Sequence, residues 1–235
     1  YMNLNIKFAD VDINTMNISV KSIKKLITKK TKAIVVVHYG GLPCDMGEIQ
    51  AIAKKNKIVV IEDAAHALGA KYNNKPVGSL CDFSTFSFQA IKHFTTGDGG
   101  MLTIKNKSLA EKAKRIRWFG IDRKKKQQGI WKNDVFEVGY KYQMTDIAAT
   151  MGCDSLNEFN KIINHRRKIY YTYLNELSKN KKVKCIHDED KKKLHGAWLF
   201  TILVNNKDYL QNKLRDHYIE TNQVHFRNDR YSIFK

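Results

Sequence analysis

Proline, cysteine and long apolar runs are all scarce in this sequence of 235 residues. The two prolines exclude collagen-like and proline-rich classes of protein. The four cysteines are Cys44, Cys81, Cys153 and Cys185. Because no two of them form a CxxC pair and their spacing fits no zinc site, we predict reduced thiols in a cytoplasmic protein and no metal site. No apolar run approaches the roughly 20 residues that a membrane helix needs, so we expect no membrane partner.

Acidic residues are outnumbered by basic ones, with 23 Asp and Glu against 42 Lys and Arg and a net charge of +19. This balance favours anionic partners such as nucleic acid, an acidic membrane surface or a phosphorylated small molecule. The lysines are scattered through the chain and form no zinc finger, RNA-recognition signature or basic heptad pattern. We therefore expect no nucleic-acid partner. A hydrophobic content of 43% excludes a disordered chain.

Short apolar runs alternate with amphipathic segments through the first two-thirds of the chain. Strands are predicted at Ile6–Ala9, Ile34–Val37, Ile58–Ile61, Phe83–Ser87 and Met101–Ile104. Continuous apolar strands separated by amphipathic helices indicate an α/β fold with a mainly parallel sheet that is covered on both faces.

The apolar periodicity after this region predicts one long helix, from an N-cap at Thr145 to about Ser178. We accordingly divide the chain into a large α/β domain at residues 1–150, a linking helix at 151–180 and a partial small domain at 181–235.

The last segment reads as a strand–helix–strand unit, with strands at Leu199–Val204 and near Gln223–Phe226 and a helix near Asp208–His217. The charged run Asp188–Lys193 is interpreted as a solvated turn. Both ends of the chain look cut, because Tyr1 precedes Met2 and leads directly into an apparent strand. We therefore expect a fragment.

An acidic pair, Glu62 and Asp63, ends the fully apolar strand that begins at Ile58. Ligands of α/β sheets bind at the carboxyl ends of the strands. A carboxylate is costly to bury there unless a cation accompanies it. Taken alone, the pair is more simply explained as a surface carboxylate that caps the next segment.

A single lysine, Lys92, stands between a predicted strand and a glycine-rich turn that ends at Gly100. Ser87 precedes it, and Thr95 and Thr96 follow it. A lysine beside hydroxyls and glycine amides can pair with a phosphate, and a desolvated lysine can form a Schiff base. Pyridoxal phosphate needs such a lysine, a carboxylate for its ring nitrogen and a phosphate cradle. By itself, a lone lysine is most often a solvated surface charge.

Three motifs occur in order: DAAH at Asp63–His66, SFQAIKHFTTGDGG at Ser87–Gly100 and GYKYQMTDIAATMG at Gly139–Gly152. Together they resemble the DegT/DnrJ/EryC1/StrS family of pyridoxal-phosphate-dependent sugar aminotransferases, and the likeness runs from about Phe8 to Phe234. It implies the fold-type I architecture, with a mainly parallel sheet flanked by helices and a smaller α+β C-terminal domain.

Two further stretches, WFGIDR at Trp118–Arg123 and VHFRNDRYSIF at Val224–Phe234, are most similar to nucleotide-sugar C4 aminotransferases such as perosamine synthases. Members of the family are usually longer than this chain. By this resemblance, we expect two parts of the family's chain to have no counterpart in this sequence. One is an N-terminal helix with a glycine–threonine phosphate loop, and the other is the end of the small domain.

The resemblance implies a role for each matching residue. Lys92 corresponds to the Schiff-base lysine, and Asp63 to the carboxylate on the pyridine nitrogen. His66 stands where the family has Gln or His near the phenolic oxygen of the cofactor, and Ser87 matches a phosphate-binding hydroxyl. Lys141 falls at a position often held by Asn, which reaches the phosphate of the neighbouring subunit; a lysine there would act as a point charge.

His225 and Arg227 are candidates to face the sugar, although an ordinary pair at a strand end is the simpler interpretation of these two residues. The resemblance implies a homodimer with shared active sites. It also implies transamination of a nucleotide-linked keto-deoxy sugar with an amino donor such as L-glutamate, for glycan or cell-surface polysaccharide biosynthesis. Two alternatives stay open: a non-catalytic, regulatory relative that binds the cofactor, and a sugar dehydratase. Dehydratases of the family carry His in place of the lysine, so Lys92 favours transamination.

Overall fold

Nine strands and six α-helices make up the computed structural model, which describes residues 4–130, 135 and 137–234. The strands are β1 (Ala33–Val37), β2 (Val59–Asp63), β3 (Lys71–Tyr72), β4 (Lys75–Pro76), β5 (Phe83–Ser87), β6 (Gly100–Ile104), β7 (Lys184–Cys185), β8 (Lys193–Leu194) and β9 (Ile202–Leu203). The helices are α1 (Val20–Leu26), α2 (Met46–Asn56), α3 (Lys107–Arg117), α4 (Arg123–Gln127), α5 (Asp146–Leu177) and α6 (Lys207–Asp216).

The main sheet has four strands in the order β1-β2-β5-β6. The first three are parallel, and β6 runs antiparallel to β5. The carboxyl ends of the parallel strands therefore meet at one edge, where Asp63 is the register partner of both Val37 and Thr85. This edge is the place where an open α/β sheet offers its loops to a ligand.

One face of this sheet, the covered face, packs against α1 and α2 through Ile23 and Ile49. Its strand residues include Val36 and Val60, which are buried. The opposite face, the open face, carries Val35, which is 55% exposed, and ends in Val37 and Asp63. Helices α1 and α2 thus lie on the same side of the sheet, and in the part of the chain that the structure describes the open face is the more exposed of the two.

Helix α5 is the single long helix that the periodicity predicted, and the Thr145 hydroxyl caps it by accepting from the Ala148 amide at 3.3 Å. Its apolar side lies against the segment after β2, where Phe159 and Ile163 approach Gly69. The Ser155 hydroxyl donates to the Thr95 carbonyl oxygen at 3.2 Å. The helix therefore braces the loops that follow β2 and β5.

The predictions of short strands agree less well with the structure than the prediction of helix α5 does. Ile6–Ala9 and Gln223–Phe226 form no strand, and Leu199–Val204 contracts to the two-residue β9. A β-strand needs a neighbour to satisfy its backbone groups, and these apolar segments have no long partner strand in the described part of the chain. The expected solvated turn at Asp188–Lys193 is also wrong in one respect: the Lys193 side chain is only 2% exposed, because its amine is bound by the carboxylates of Asp45 and Asp188.

No described helix is both long enough and apolar enough to cross a membrane. The described His, Cys, Asp and Glu residues likewise form no group of three or more that could hold a metal ion. The division into domains at residues 150 and 180 stays a prediction.

Candidate active site

Three of the predicted site residues converge at the carboxyl edge of the sheet. Asp63 is the last residue of β2, and its Oδ1 accepts from the Ala65 amide at 3.0 Å, which turns the chain toward His66. Lys92 lies in the turn after β5, where its amide donates to the Gln89 carbonyl at 2.9 Å. The Lys92 ammonium interacts electrostatically with both Asp63 and His66. An amine, a carboxylate and an imidazole therefore meet in one place.

The environment of Lys92 shifts its amine toward the neutral form. Burial lowers the pKa of the Lys92 amine from its ordinary value, and the neighbouring Asp63 carboxylate opposes that shift. A lowered pKa enlarges the fraction of neutral amine near pH 7, which is the nucleophilic form. The site thus contains an amine suited to attack on a carbonyl carbon.

The His66 imidazole is neutral, and one of its two ring nitrogens has no hydrogen-bond partner among the described residues. Burial lowers its pKa to about 3, with smaller contributions from Lys92 and His225. Its Nδ1 atom is buried and has no hydrogen-bond partner in the described part of the chain. Because buried polar atoms nearly always have a partner, this nitrogen is an open position for a ligand atom.

Trp198 covers this group, although no sequence signal singled it out. Its indole lies 3.7 Å from the Lys92 Nζ, measured to the ring centroid, and stacks on the His66 ring at 3.8 Å. Its Nε1–H donates to the Ile91 carbonyl at 3.2 Å. The available hint in the sequence is the small pair Gly196–Ala197 directly before an aromatic residue, a pattern too common to identify a site.

The glycine-rich turn after Lys92 is built around the backbone of Phe88. Its carbonyl accepts from the Thr96 amide and the Thr95 hydroxyl, both at 3.0 Å, and its amide donates to the Gly99 carbonyl at 2.9 Å. The Thr95 and Thr96 hydroxyls, which the sequence suggested for a phosphate, thus bond within the turn. The Ser87 hydroxyl accepts from the Gln89 amide at 3.4 Å and keeps its own proton for another acceptor.

Of the three remaining candidate residues, one lies beside the group formed by Lys92, Asp63 and His66, and the other two do not. His225 stacks near His66, with ring centroids 6.0 Å apart. Lys141 is exposed and lies over the Trp118 ring at 4.4 Å, so among the described residues it does not join the Lys92 group. Arg227 forms a two-point ion pair with Asp229, at 3.0 and 2.6 Å.

The chemistry of this donor set fits pyridoxal phosphate. The cofactor requires an amine, a carboxylate for its ring nitrogen, a polar partner for its phenolic oxygen and a donor for its phosphate. Lys92, Asp63 and Ser87 supply the first, second and fourth, and the unpartnered Nδ1 of His66 suits the third.

Comparison with known proteins gives a consistent result. The model of the DegT/DnrJ/EryC1/StrS aminotransferase family matches residues 1–234. GDP-perosamine synthase of Escherichia coli O157:H7 is 38% identical over 222 residues, which cover 93% of this chain and 58% of that protein. UDP-4-amino-4,6-dideoxy-N-acetyl-beta-L-altrosamine transaminase of Campylobacter jejuni is 36% identical over 209 residues, or 88% of this chain and 54% of that one.

Among solved structures, the sugar aminotransferase CalS13 of Micromonospora echinospora superposes with a TM-score of 0.93 at 29% identity, over 98% of this chain and 64% of that one. The predicted fold-type I architecture is confirmed by this likeness. The chain spans little more than half the length of the curated relatives that it matches.

Proposed function

Because the chain belongs to the DegT/DnrJ/EryC1/StrS aminotransferase family, we propose that it forms the cofactor-binding part of a nucleotide-sugar aminotransferase. The proposed reaction moves an amino group from a donor such as L-glutamate to a nucleotide-linked keto-deoxy sugar, of the nucleoside-diphosphate 4-keto-6-deoxyhexose type. The product would enter glycan or cell-surface polysaccharide biosynthesis. This substrate class is supported by the likeness to a GDP-perosamine synthase and to a UDP-linked amino-sugar transaminase.

The observation that carries the proposal is the convergence of Lys92, Asp63 and the unpartnered Nδ1 of His66. When bound, pyridoxal phosphate supplies a reactive aldehyde and an electron-withdrawing ring. We assign Asp63 to keep a proton on the ring nitrogen, His66 Nδ1 to the phenolic oxygen and the Ser87 hydroxyl to the phosphate.

Lys92 has two proposed tasks. Its neutral amine would hold the cofactor at the aldehyde carbon, and the same side chain would serve as the base that takes the proton from the donor's Cα atom. General bases work best when their pKa lies near the working pH. The lowered pKa of Lys92 moves the amine in that direction.

The remaining partners in the proposal come from a second subunit and from the substrate. In a homodimer with two-fold symmetry, each subunit can lend the same residue to the site of the other. We assign Lys141 to the cofactor phosphate of the partner subunit, as a point charge. His225 and Arg227 are assigned to the sugar nucleotide, and of these His225 has the stronger support because it lies beside His66.

A cytoplasmic location is part of the proposal. All four cysteines are free, and Cys44 and Cys81 are buried. Proteins of reducing compartments keep their thiols in this state.

An absorbance spectrum of the purified chain with pyridoxal phosphate tests the function. We expect a visible band of covalently bound cofactor that bleaches when L-glutamate is added, and no such band in Lys92→Ala. Lys105→Ala, a change at a surface lysine beyond β6, serves as the matched control and keeps the band. A band that glutamate leaves unchanged would favour a non-catalytic relative, and no band in the unmodified chain would contradict the proposed role of Lys92.

A further inference from the structure

A short backbone segment, the Trp198 arm (His195–Leu199), reaches from the C-terminal part of the chain onto the turn after β1. The Gly196 amide donates to the Gly41 carbonyl at 2.8 Å, and the Trp198 amide to the Gly40 carbonyl at 3.1 Å. A Cβ atom added to Gly41 would lie 3.1 Å from the Ala197 nitrogen, so only glycine allows the two segments to approach this closely. The arm is therefore fixed to the large domain by its backbone.

Two further features hold the arm in one conformation. The Arg167 guanidinium of α5 bonds to the His195 carbonyl at 3.0 Å and to the Gly69 carbonyl at 2.7 Å. Ala197, which is buried, has a φ of 51°, in the left-handed region that residues other than glycine rarely adopt. Strained residues of this kind persist where the surroundings determine them, and they concentrate at functional sites.

The arm ends in the indole that lies on the Lys92 amine. The distance of 3.7 Å from Nζ to the ring centroid is that of a close cation–π contact. The same indole also stacks on the His66 ring. Trp198 therefore contacts both residues that are assigned to the reacting part of the cofactor.

We propose that Trp198 is a positioning residue of this site, which holds the Lys92 amine beside Asp63 and His66 and keeps water away from it. The proposal rests on the proposed function, because it concerns the readiness of Lys92 to react with an aldehyde. It adds a residue from the C-terminal part of the chain to a site otherwise built by the ends of β2 and β5.

The other charged or titratable groups around Lys92 come from three segments. Asp63 and His66 lie at the end of β2 and just after it, His93 follows Lys92 in its own turn, and His225 comes from the C-terminal segment. Asp63 raises the pKa of Lys92, whereas burial lowers it more strongly. The indole acts on Lys92 in two opposite ways: it excludes water, which favours the neutral amine, and its ring face attracts the ammonium. Because burial is the largest cause of the shift at Lys92, we expect the first effect to prevail, so that removal of the indole raises the pKa of Lys92 and leaves less neutral amine near pH 7.

Reductive labelling with pyridoxal phosphate measures this property without reference to turnover. The neutral Lys92 amine adds to the aldehyde carbon and one water leaves, giving a C=N bond. Borohydride then delivers a hydride to the carbon and solvent a proton to the nitrogen, giving a stable secondary amine. Peptide mapping by mass spectrometry quantifies the label on Lys92 against the label on Lys54, an exposed lysine of α2 in the same sample.

We expect Trp198→Ala to move the pH midpoint of Lys92 labelling upward, and a rise of one pH unit would reduce labelling near neutrality about tenfold. Trp198→Phe, which keeps an aromatic ring on the arm, should restore most of it. Should Trp198→Ala fail to fold, as judged by thermal unfolding, Trp198→Leu supplies the same test with the ring removed and apolar volume kept.

An unchanged or lowered midpoint in the folded variant would overturn the proposal. Equal labelling of Lys92 and Lys54 in the unmodified chain would instead contradict the proposed function, because Lys92 would then show no special reactivity toward the aldehyde. The two failures are thereby distinguishable.

Discussion

Glu62 and Asp63 are adjacent carboxylates on the same strand, yet they lie in opposite environments. Glu62 points to the covered face and is fully buried, with its oxygens 3.1 Å from His38 Nε2 and 2.5 Å from Ser84 Oγ. Asp63 points to the open face and is only partly buried. Because successive side chains of a strand alternate between faces, one residue step separates the two surroundings.

The hydrogen bonds around His38 explain why Glu62 belongs to the framework. The Nδ1 atom of His38 accepts from the Cys44 amide at 3.1 Å, so the ring proton of the neutral imidazole lies on Nε2 and is donated to Glu62. The His38 amide in turn donates to the Asp63 carbonyl at 3.2 Å. Both Glu62 oxygens thus have partners, whereas only one Asp63 oxygen accepts a hydrogen bond within the described residues. A saturated carboxylate stabilises the fold, and one with an unused oxygen is available for chemistry.

The largest effect that we expect from this contrast is on activity. Asp63→Asn removes the charge that would hold a proton on the ring nitrogen, so the transamination rate should fall by about 10²–10⁴-fold. Because Asp63 is partly exposed, the free energy of unfolding should change by no more than about 0.5 kcal/mol. Steady-state rates and denaturant titrations measure the two quantities. A large loss of stability with an unchanged rate would reverse the roles assigned to the pair.

Glu62→Gln should give the opposite pattern. An amide cannot accept from both His38 and Ser84 as a carboxylate does, so the free energy of unfolding should fall by about 2–3 kcal/mol, as for hydrogen bonds to a charged group. Ser84→Ala, which removes one of the two donors, should cost less. Chemical denaturation measures both variants, and the folded fraction should still bind pyridoxal phosphate. Stability equal to that of the unmodified chain would show that the Glu62 charge is not structural.

The strand pattern alone could not distinguish Asp63 from Glu62, and it was the DAAH motif that assigned the site role to Asp63. Val35, Val36 and Val37 are all apolar, so the sequence predicts that β1 is buried on both faces. The two faces differ only because α1 and α2 pack on one of them. Lys92 was predictable because a specific motif surrounds it. Trp198 was not, because its place depends on contacts with Gly40 and Gly41 that no local pattern encodes.

Lys141 offers a smaller test, on whether the site extends beyond one subunit. Lys141→Glu should weaken cofactor binding by charge repulsion, although Lys141 lies over Trp118 and not beside Lys92. Mixing this variant with Lys92→Ala should restore part of the activity, because one hybrid site then carries both native residues. The measurement is transamination in mixtures shown to exchange subunits. No recovery in such mixtures would assign Lys141 to its own subunit's surface.

The effect that is smallest near neutral pH, and that grows only as the pH falls, concerns acid. Burial lowers the pKa of His195 to about 3, and its Nδ1 accepts from the Ala197 amide at 2.7 Å. The unfolded chain binds this proton near pH 6.5, so the free energy of unfolding should decline as the pH falls from about 6.5 toward 3 and be unaffected above that range. Denaturant midpoints at a series of pH values measure the slope, and His195→Asn should flatten it. An equally steep slope in that variant would assign the acid sensitivity to other groups.

The attachment of the Trp198 arm has a consequence for synthesis of the chain on the ribosome. The arm is joined to the turn after β1 by contacts of very long range, such as that of the Trp198 amide with the Gly40 carbonyl. Just beyond the arm, the Tyr39 hydroxyl bonds to Thr201 Oγ1, 162 positions away. Chains emerge at about 5–20 residues per second, so Lys92 is exposed for on the order of ten seconds before Trp198 is made. Contacts of such sequence separation also form late, because their loop-closure entropy is high. Lys92 is therefore open to a small aldehyde during translation and becomes covered only when the nascent chain closes.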